Sequence, residues 1–121
     1  MSYDFNFWRY KKGADRDHKA VYENACRLQK ELPCLETLPI EEILEKIDAA
    51  FGDWEKYPGN CYVKEQAEIY LTVITTSQTV CLKCTGMSEE DMNRLIDVMK
   101  SFGCPYYDSY LNRRFDSWTD G

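Results

Sequence analysis

The cysteines are the residues whose types and spacing most resemble a metal site. Cys81 and Cys84 form the motif "CLKC", with Cys61 and Cys104 each twenty residues outside it. Zinc needs four ligands that converge on one point. The motif lies in a run of alternating residues typical of a strand, where positions three apart point to opposite faces. The sequence therefore predicts neither a metal site nor another cofactor.

A cysteine can also act as a nucleophile, which requires a nearby base or a positive charge to form the thiolate. The sequence has six cysteines but a single histidine, His18. Nothing in the sequence brings His18 near Cys104 or any other thiol. A small thiol enzyme therefore stays an alternative and not the main prediction. We expect reduced thiols, because no feature of the sequence marks export.

Four carboxylates could be an acid and base pair, namely Glu41, Glu42, Glu45 and Asp48. Three of them share one helix face, because Glu41, Glu45 and Asp48 are spaced by four and three residues. Paired carboxylates catalyse reactions only where burial separates their pKa values. These acids lie off the apolar stripe of their helix, so we expect a charged, solvated face and no enzymatic activity.

Two features could contact nucleic acid, and we interpret both as structural. Arg113 and Arg114 could bind phosphate, but nearby aspartates nearly cancel their charge. These aspartates are Asp108, Asp116 and Asp120. Tyr3, Phe5 and Phe7 alternate along a strand, and such an aromatic face usually belongs to the core and does not stack on bases. We predict no direct nucleic-acid binding.

The elements that carry these residues follow from periodicity. Alternation predicts a first strand over residues 2–9. Apolar residues at helical spacing then predict a helix over residues 17–31, with Asp15 or Asp17 as its N-cap. A second helix begins at Pro39, which suits the first helical position.

The second helix can end at Gly52, and the turn-rich stretch after it predicts a loop that displays Trp54 and Tyr57. Alternation then predicts a hairpin of two strands, over residues 62–74 and 80–84. Ser88 begins a third helix, which Gly103 and Pro105 end. A last strand of uncertain register follows in "YYDSY".

This order, β-α-α-β-β-α-β, predicts an α+β fold. We expect an antiparallel or mixed sheet of about four strands, with three helices packed on one face. The chain of 121 residues fits one domain, residues 1–121. No apolar run is long enough to cross a bilayer, so we predict a cytoplasmic protein without membrane contact.

The net charge of −6 is concentrated in one segment, because residues 31–55 hold eight acids and a single base, Lys46. An acidic block repels phosphate and attracts a basic protein partner. Aromatic residues beside such charge can anchor an interface. We therefore predict a binding surface formed by six residues, namely Glu41, Glu42, Glu45, Asp48, Trp54 and Tyr57.

Several stretches resemble small bacterial immunity proteins of contact-dependent growth inhibition and related polymorphic toxin systems. They are "MSYDFNFW", "LPIEEILEKIDAAFGDW", "MNRLIDVMKSFGCPYYD" and "RRF". The resemblance implies a cytoplasmic protein that binds and neutralises the C-terminal domain of a cognate toxin, often a basic, tRNA-directed nuclease. It carries over no catalytic residues. An adaptor or regulatory module for another basic protein stays open as an alternative.

Overall fold

The computed structural model describes residues 2–14, 17–64, 66, 68–108 and 113–115. The strands are β1 (Ser2–Trp8), β2 (Glu55–Tyr57), β3 (Cys61–Lys64), β4 (Ile69–Thr75), β5 (Thr79–Thr85), β6 (Tyr106–Asp108) and β7 (Arg113–Phe115). The helices are α1 (His18–Val21), a π-helical segment (Tyr22–Arg27), α2 (Ile40–Ala50) and α3 (Glu89–Ser101). Within these ranges the strands form one antiparallel sheet in the order β2-β3-β4-β5-β1-β6-β7. The predicted α+β class is confirmed.

The middle of the sheet carries buried side chains on both faces, as β1 shows. Phe5 and Phe7 point to one face and are at most 5% exposed, while Trp8 points to the other face and is fully buried. Each face of the sheet must therefore be covered by another layer. The described helices divide between the two faces accordingly.

Helices α2 and α3 cover the face that carries Phe5 and Phe7. Their apolar stripes enter one core cluster with β4 and β5, and both α2 and α3 place fully buried residues there. These residues are Ile43, Ile47, Leu95 and Met99. The two helices also contact each other directly, because Arg94 Nη1 donates a hydrogen bond to the carbonyl of Ala50 (3.0 Å).

Helix α1 and the π-helical segment lie on the opposite face. Val21 and Ala25 pack there against Trp8 and Tyr107 in a second core cluster. The prediction that all three helices share one face is therefore wrong. The prediction rests on the aromatic residues at odd positions of β1, whereas the buried Trp8 requires a cover on the other side.

The sheet is also larger than the predicted four strands. The stretch predicted as one strand over residues 62–74 contains two, β3 and β4, and the predicted loop before it contains β2. Pro58, Gly59 and Asn60 form the turn of the β2–β3 hairpin. The first helix is shorter than the predicted residues 17–31 and becomes π-helical after Val21.

Several predicted boundaries are confirmed. Asp17 caps α1 by accepting a hydrogen bond from the Ala20 N–H, while Asp15, the other predicted cap, lies outside the described residues. Ser88 caps α3, and Gly103 has a φ of 73°, the left-handed conformation that ends a helix. Of the helices in the described ranges, none has both the length and the apolar character needed to cross a bilayer.

Candidate functional site

The exposed side of α2 and α3 carries carboxylates, and we name it the acidic helical surface. Its members are Glu41, Glu42, Glu45 and Asp48 of α2, with Glu89, Glu90 and Asp97 of α3. All of them are exposed, because the apolar stripes of both helices point into the core. The α2 part of this surface was predicted from the sequence. The α3 acids were not, because only the fold places both helices on one face.

Asp48 differs from the other α2 acids because it binds the sheet. Its Oδ1 accepts hydrogen bonds from Lys56 Nζ at 3.0 Å and from the Tyr62 hydroxyl at 2.9 Å. Hydrogen bonds from Lys56 and Tyr62 hold the pKa of Asp48 below its usual value. Asp48 therefore anchors α2 to β2 and β3, and its charge is largely matched within the protein.

The other three α2 acids are not matched in this way. In the described part of the chain, no salt bridge or side-chain hydrogen bond links Glu41, Glu42 or Glu45 to another residue. Glu41 and Glu42 gain some stabilisation from the positive N-terminal end of the helix dipole. The helix therefore presents three carboxylates to solvent, on a backbone fixed by the buried core.

Trp54 does not belong to this surface. It is only 6% exposed, and its ring packs edge-on against Phe51 with 4.9 Å between ring centroids. Lys64 Nζ lies 4.9 Å from the ring centroid and supplies a cation–π contact. The expectation that the loop displays Trp54 is wrong, because the turn after α2 folds the indole back into the core.

Tyr57 is exposed, at 41%, but it points away from α2. Lys56 and Tyr62 lie opposite each other in the β2–β3 pairing, and both side chains reach Asp48 on α2. Successive residues of a strand point to opposite faces, so Tyr57 points to the other face of the sheet. There its hydroxyl donates to Glu55 Oε2 at 3.0 Å. The six predicted interface residues thus do not form one surface.

Tyr57 belongs to a partly uncovered region on that other face, which we name the open sheet face. It contains Tyr57, Tyr70, Thr72 and Lys83, and Tyr70 is 45% exposed. This region was not predicted. Its signal in the sequence is Tyr70, which alternates with the apolar residues of β4 and therefore points away from the core.

The candidate thiol sites lie apart from one another. Cys84 packs in the core cluster under α2 and α3, whereas Cys81 lines a cleft on the other face, so the predicted opposite orientation of the pair is confirmed. Cys104 is buried in the first cluster, but His18 Nδ1 lies 2.8 Å from the Tyr10 hydroxyl, which belongs to the second cluster. Cys104 and the Tyr10 partner of His18 therefore belong to different core clusters.

No three His, Cys, Asp or Glu side chains within the described ranges are placed to hold a metal ion together. Each of the six cysteines is a thiol. Arg113 and Arg114 lie on β7, opposite Asp108 and Tyr107 of β6. Their side chains, and the predicted neighbours Asp116 and Asp120, lie outside the described residues.

Comparison with known proteins identifies no relative: no family model matches the chain, and no curated protein matches it significantly. The function must therefore be inferred from the two exposed surfaces and from the chemistry that each can support.

Proposed function

We propose that the protein is an immunity protein that neutralises a basic toxin domain by binding it with the acidic helical surface. The observation that carries this proposal is a set of three exposed carboxylates that form no salt bridge in the described part of the chain, namely Glu41, Glu42 and Glu45. Unmatched charges of one sign repel one another. A partner that supplies lysine or arginine removes this repulsion and gains complementary contacts.

The surface is suited to binding and not to turnover. Ile43 and Ile47 are fully buried beneath α2, and Asp48 ties the helix to the sheet, so the glutamates need little ordering when a partner arrives. A carboxylate that acts as a general acid or base usually needs burial to shift its pKa. Glu41, Glu42 and Glu45 are exposed, so their chemistry supports electrostatic recognition.

The partner class follows from charge. A domain that cleaves nucleic acid, including tRNA, usually carries lysine and arginine where it contacts the phosphate backbone. An acidic helix can bind that same surface and exclude the substrate, while it repels free nucleic acid. The proposed site of action is the cytoplasm, where such substrates are found. The interface proposed here consists of the α2 glutamates with support from α3, and it omits Trp54 and Tyr57.

The proposal is tested with the C-terminal domain of the protein encoded beside this one. We expect a stoichiometric complex whose association rate falls steeply with salt. The variant Glu41→Lys/Glu45→Lys should reduce the association rate at low salt by about tenfold or more. The control Glu23→Lys/Glu68→Lys changes the net charge equally, but neither residue lies on α2 or α3. This control should change the rate much less.

Equal effects of the two variants would show that net charge, and not α2, steers association. Stoichiometric binding to a basic protein that is not a toxin would instead support the alternative of an adaptor or regulatory module. The absence of any complex with the neighbouring gene product would contradict the immunity proposal.

A further inference from the structure

A cleft of about 350 Å³ lies between the π-helical segment and the sheet, on the face opposite α2 and α3. Its floor includes Asn6 and Cys81, which face each other directly in the β1–β5 pairing. Its helical wall includes Tyr22, Cys26 and Arg27. The proposed toxin-binding surface lies on the other side of the sheet, so this cleft is a separate candidate site.

Two thiols meet in the cleft. Cys26 from the π-helical segment and Cys81 from β5 both line it. The hydrogen bond from Cys26 lowers the pKa of Cys81, while burial and Asp4 oppose this effect and Lys83 and Thr79 assist it. The same hydrogen bond, together with burial, raises the pKa of Cys26. The pair thus favours a thiolate on Cys81 that is stabilised by the neighbouring thiol.

Charged and titratable groups lie around the pair on β1, β5, β6 and the π-helical segment. They are Asp4 on β1, Lys83 on β5, Tyr22 and Arg27 on the π-helical segment, and Tyr107 on β6. Two cations and one carboxylate therefore line the cleft. This balance favours an anionic ligand over a cationic one.

Asn6 is the second feature that indicates a ligand. Its side chain is 3% exposed, and its Nδ2 has no hydrogen-bond partner among the described residues. Buried polar groups in native proteins are normally hydrogen-bonded, and the exceptions are often functional. Asn6 lies beside Cys81 in the floor of the cleft.

The backbone that presents Cys26 is also unusual. The Leu28 N–H donates to the Glu23 carbonyl at 3.2 Å, a bond that spans five residues. Such π-helical turns are rare and are often found at functional sites. This geometry places Cys26 over β5 in the described structure.

We propose that Cys26 and Cys81 form a reactive thiol pair that undergoes thiol–disulfide exchange with a small anionic disulfide bound in the cleft. The Cys81 thiolate attacks one sulfur of that disulfide, forms a mixed disulfide, and releases the first small thiolate, which takes a proton from water. Cys26 then loses its proton to water and attacks Cys81. The second small thiolate leaves and is protonated in turn. Two protein thiols are oxidised to one disulfide, and the small disulfide is reduced to two thiols.

The probe is oxidised glutathione, a small disulfide with carboxylates, incubated with the full, reduced chain at pH 7. Thiols that remain are alkylated, and the peptides are mapped by mass spectrometry. We expect one internal disulfide between Cys26 and Cys81, with the other four of the six cysteines alkylated. A disulfide between any other pair, or full alkylation of all six, overturns the proposal.

Variants test the order of the steps. Cys26→Ser should stop the reaction at a glutathione adduct on Cys81, because no second thiol remains to displace the glutathione. Cys26→Ala, which removes the hydrogen-bond donor, should slow iodoacetamide labelling of Cys81 at pH 7 by about tenfold or more. Cys84→Ser is the matched control, since Cys84 lies on the same strand but faces the other core, where burial and Asp4 raise its pKa to about 12. It should behave as the parent protein.

A melting curve confirms that each variant folds. If Cys26→Ser does not fold, the disulfide map of the parent protein still tests the proposal. Cys81 and Cys84 lie on the same strand but face different environments, so Cys81 should be labelled faster at pH 7. A labelling rate of Cys81 no higher than that of Cys84 would also contradict the proposal.

Discussion

The hydrogen bond from Tyr62 to Asp48 gives a sharp test of how α2 is held. Tyr62 is 2% exposed, and its hydroxyl donates to Asp48 Oδ1 at 2.9 Å. The change Tyr62→Phe removes this bond but keeps the ring in the core. Hydrogen bonds to charged groups contribute roughly 1.5–3 kcal/mol. The Asp48 side chain is 51% exposed, so we expect a loss of only about 1 kcal/mol in the free energy of unfolding near pH 7.

The difference should depend on pH with a defined sign. Burial first, and then the hydrogen bond and charge of Asp48, raise the pKa of Tyr62 to about 12, compared with about 10 in an unfolded chain. The stabilisation from this group is therefore complete below pH 10 and is lost as the pH rises towards 12. The loss is about 1.4 kcal/mol at pH 11. The stabilities of the parent and Tyr62→Phe should thus become nearly equal close to pH 11.

The assay is urea unfolding, followed by tryptophan fluorescence, at several values between pH 7 and pH 11. Other buried phenols and thiols titrate equally in both proteins, so their effects cancel in the difference. Tyr70→Phe is the control, since Tyr70 is 45% exposed and its change should stay within about 0.5 kcal/mol. A difference between the parent and Tyr62→Phe that stays constant from pH 7 to pH 11 would refute the proposed role of this hydrogen bond.

Two further changes test the core and one turn. Trp54→Ala should lower the free energy of unfolding by about 3 kcal/mol or more, because Trp54 packs on Phe51. The same change should leave the rate of charge-steered association of the folded protein unchanged. Thermal unfolding and association kinetics measure the two effects. A slower association with unchanged stability would show that Trp54 is part of the binding interface. Gly86→Ala should cost about 3 kcal/mol, because a Cβ there meets the Glu68 carbonyl oxygen at 2.8 Å at a φ of 70°. Gly59→Ala, at a φ of 83° with nothing within 4 Å, should cost only about 1 kcal/mol in the same melt, and equal costs would contradict the steric explanation.

The sequence predicts elements well where local chemistry determines them. Ser88 and Gly103 bound α3 because a hydroxyl caps the first turn and a left-handed residue ends the last. The hairpin of β4 and β5 follows from alternation, since its apolar residues form one buried row. These signals act within a few residues, so no knowledge of the fold is needed to interpret them.

Features that depend on distant contacts are not predictable in this way. Trp54 lies in a polar, turn-rich stretch, and only its contacts with Phe51 and Lys64 make it part of the core. Tyr57 has the exposure expected of it, but the register of β2 on β3 decides which face it occupies. Cys26 and Cys81 are far apart in sequence but line the same cleft, because a π-helical turn carries Cys26, and periodicity does not reveal such a turn.

The two proposed sites are separated by the sheet, and β5 is the element that contacts both layers. Cys84 packs towards α2 and α3, while Cys81 faces the cleft. β5 is held on both sides by paired strands along its length. We therefore expect that a bond between Cys26 and Cys81 would hold the π-helical segment to the sheet without moving the backbone that carries Glu41, Glu42 and Glu45. Charge-steered binding and thiol exchange should act independently, since residues that share no partner usually make additive contributions.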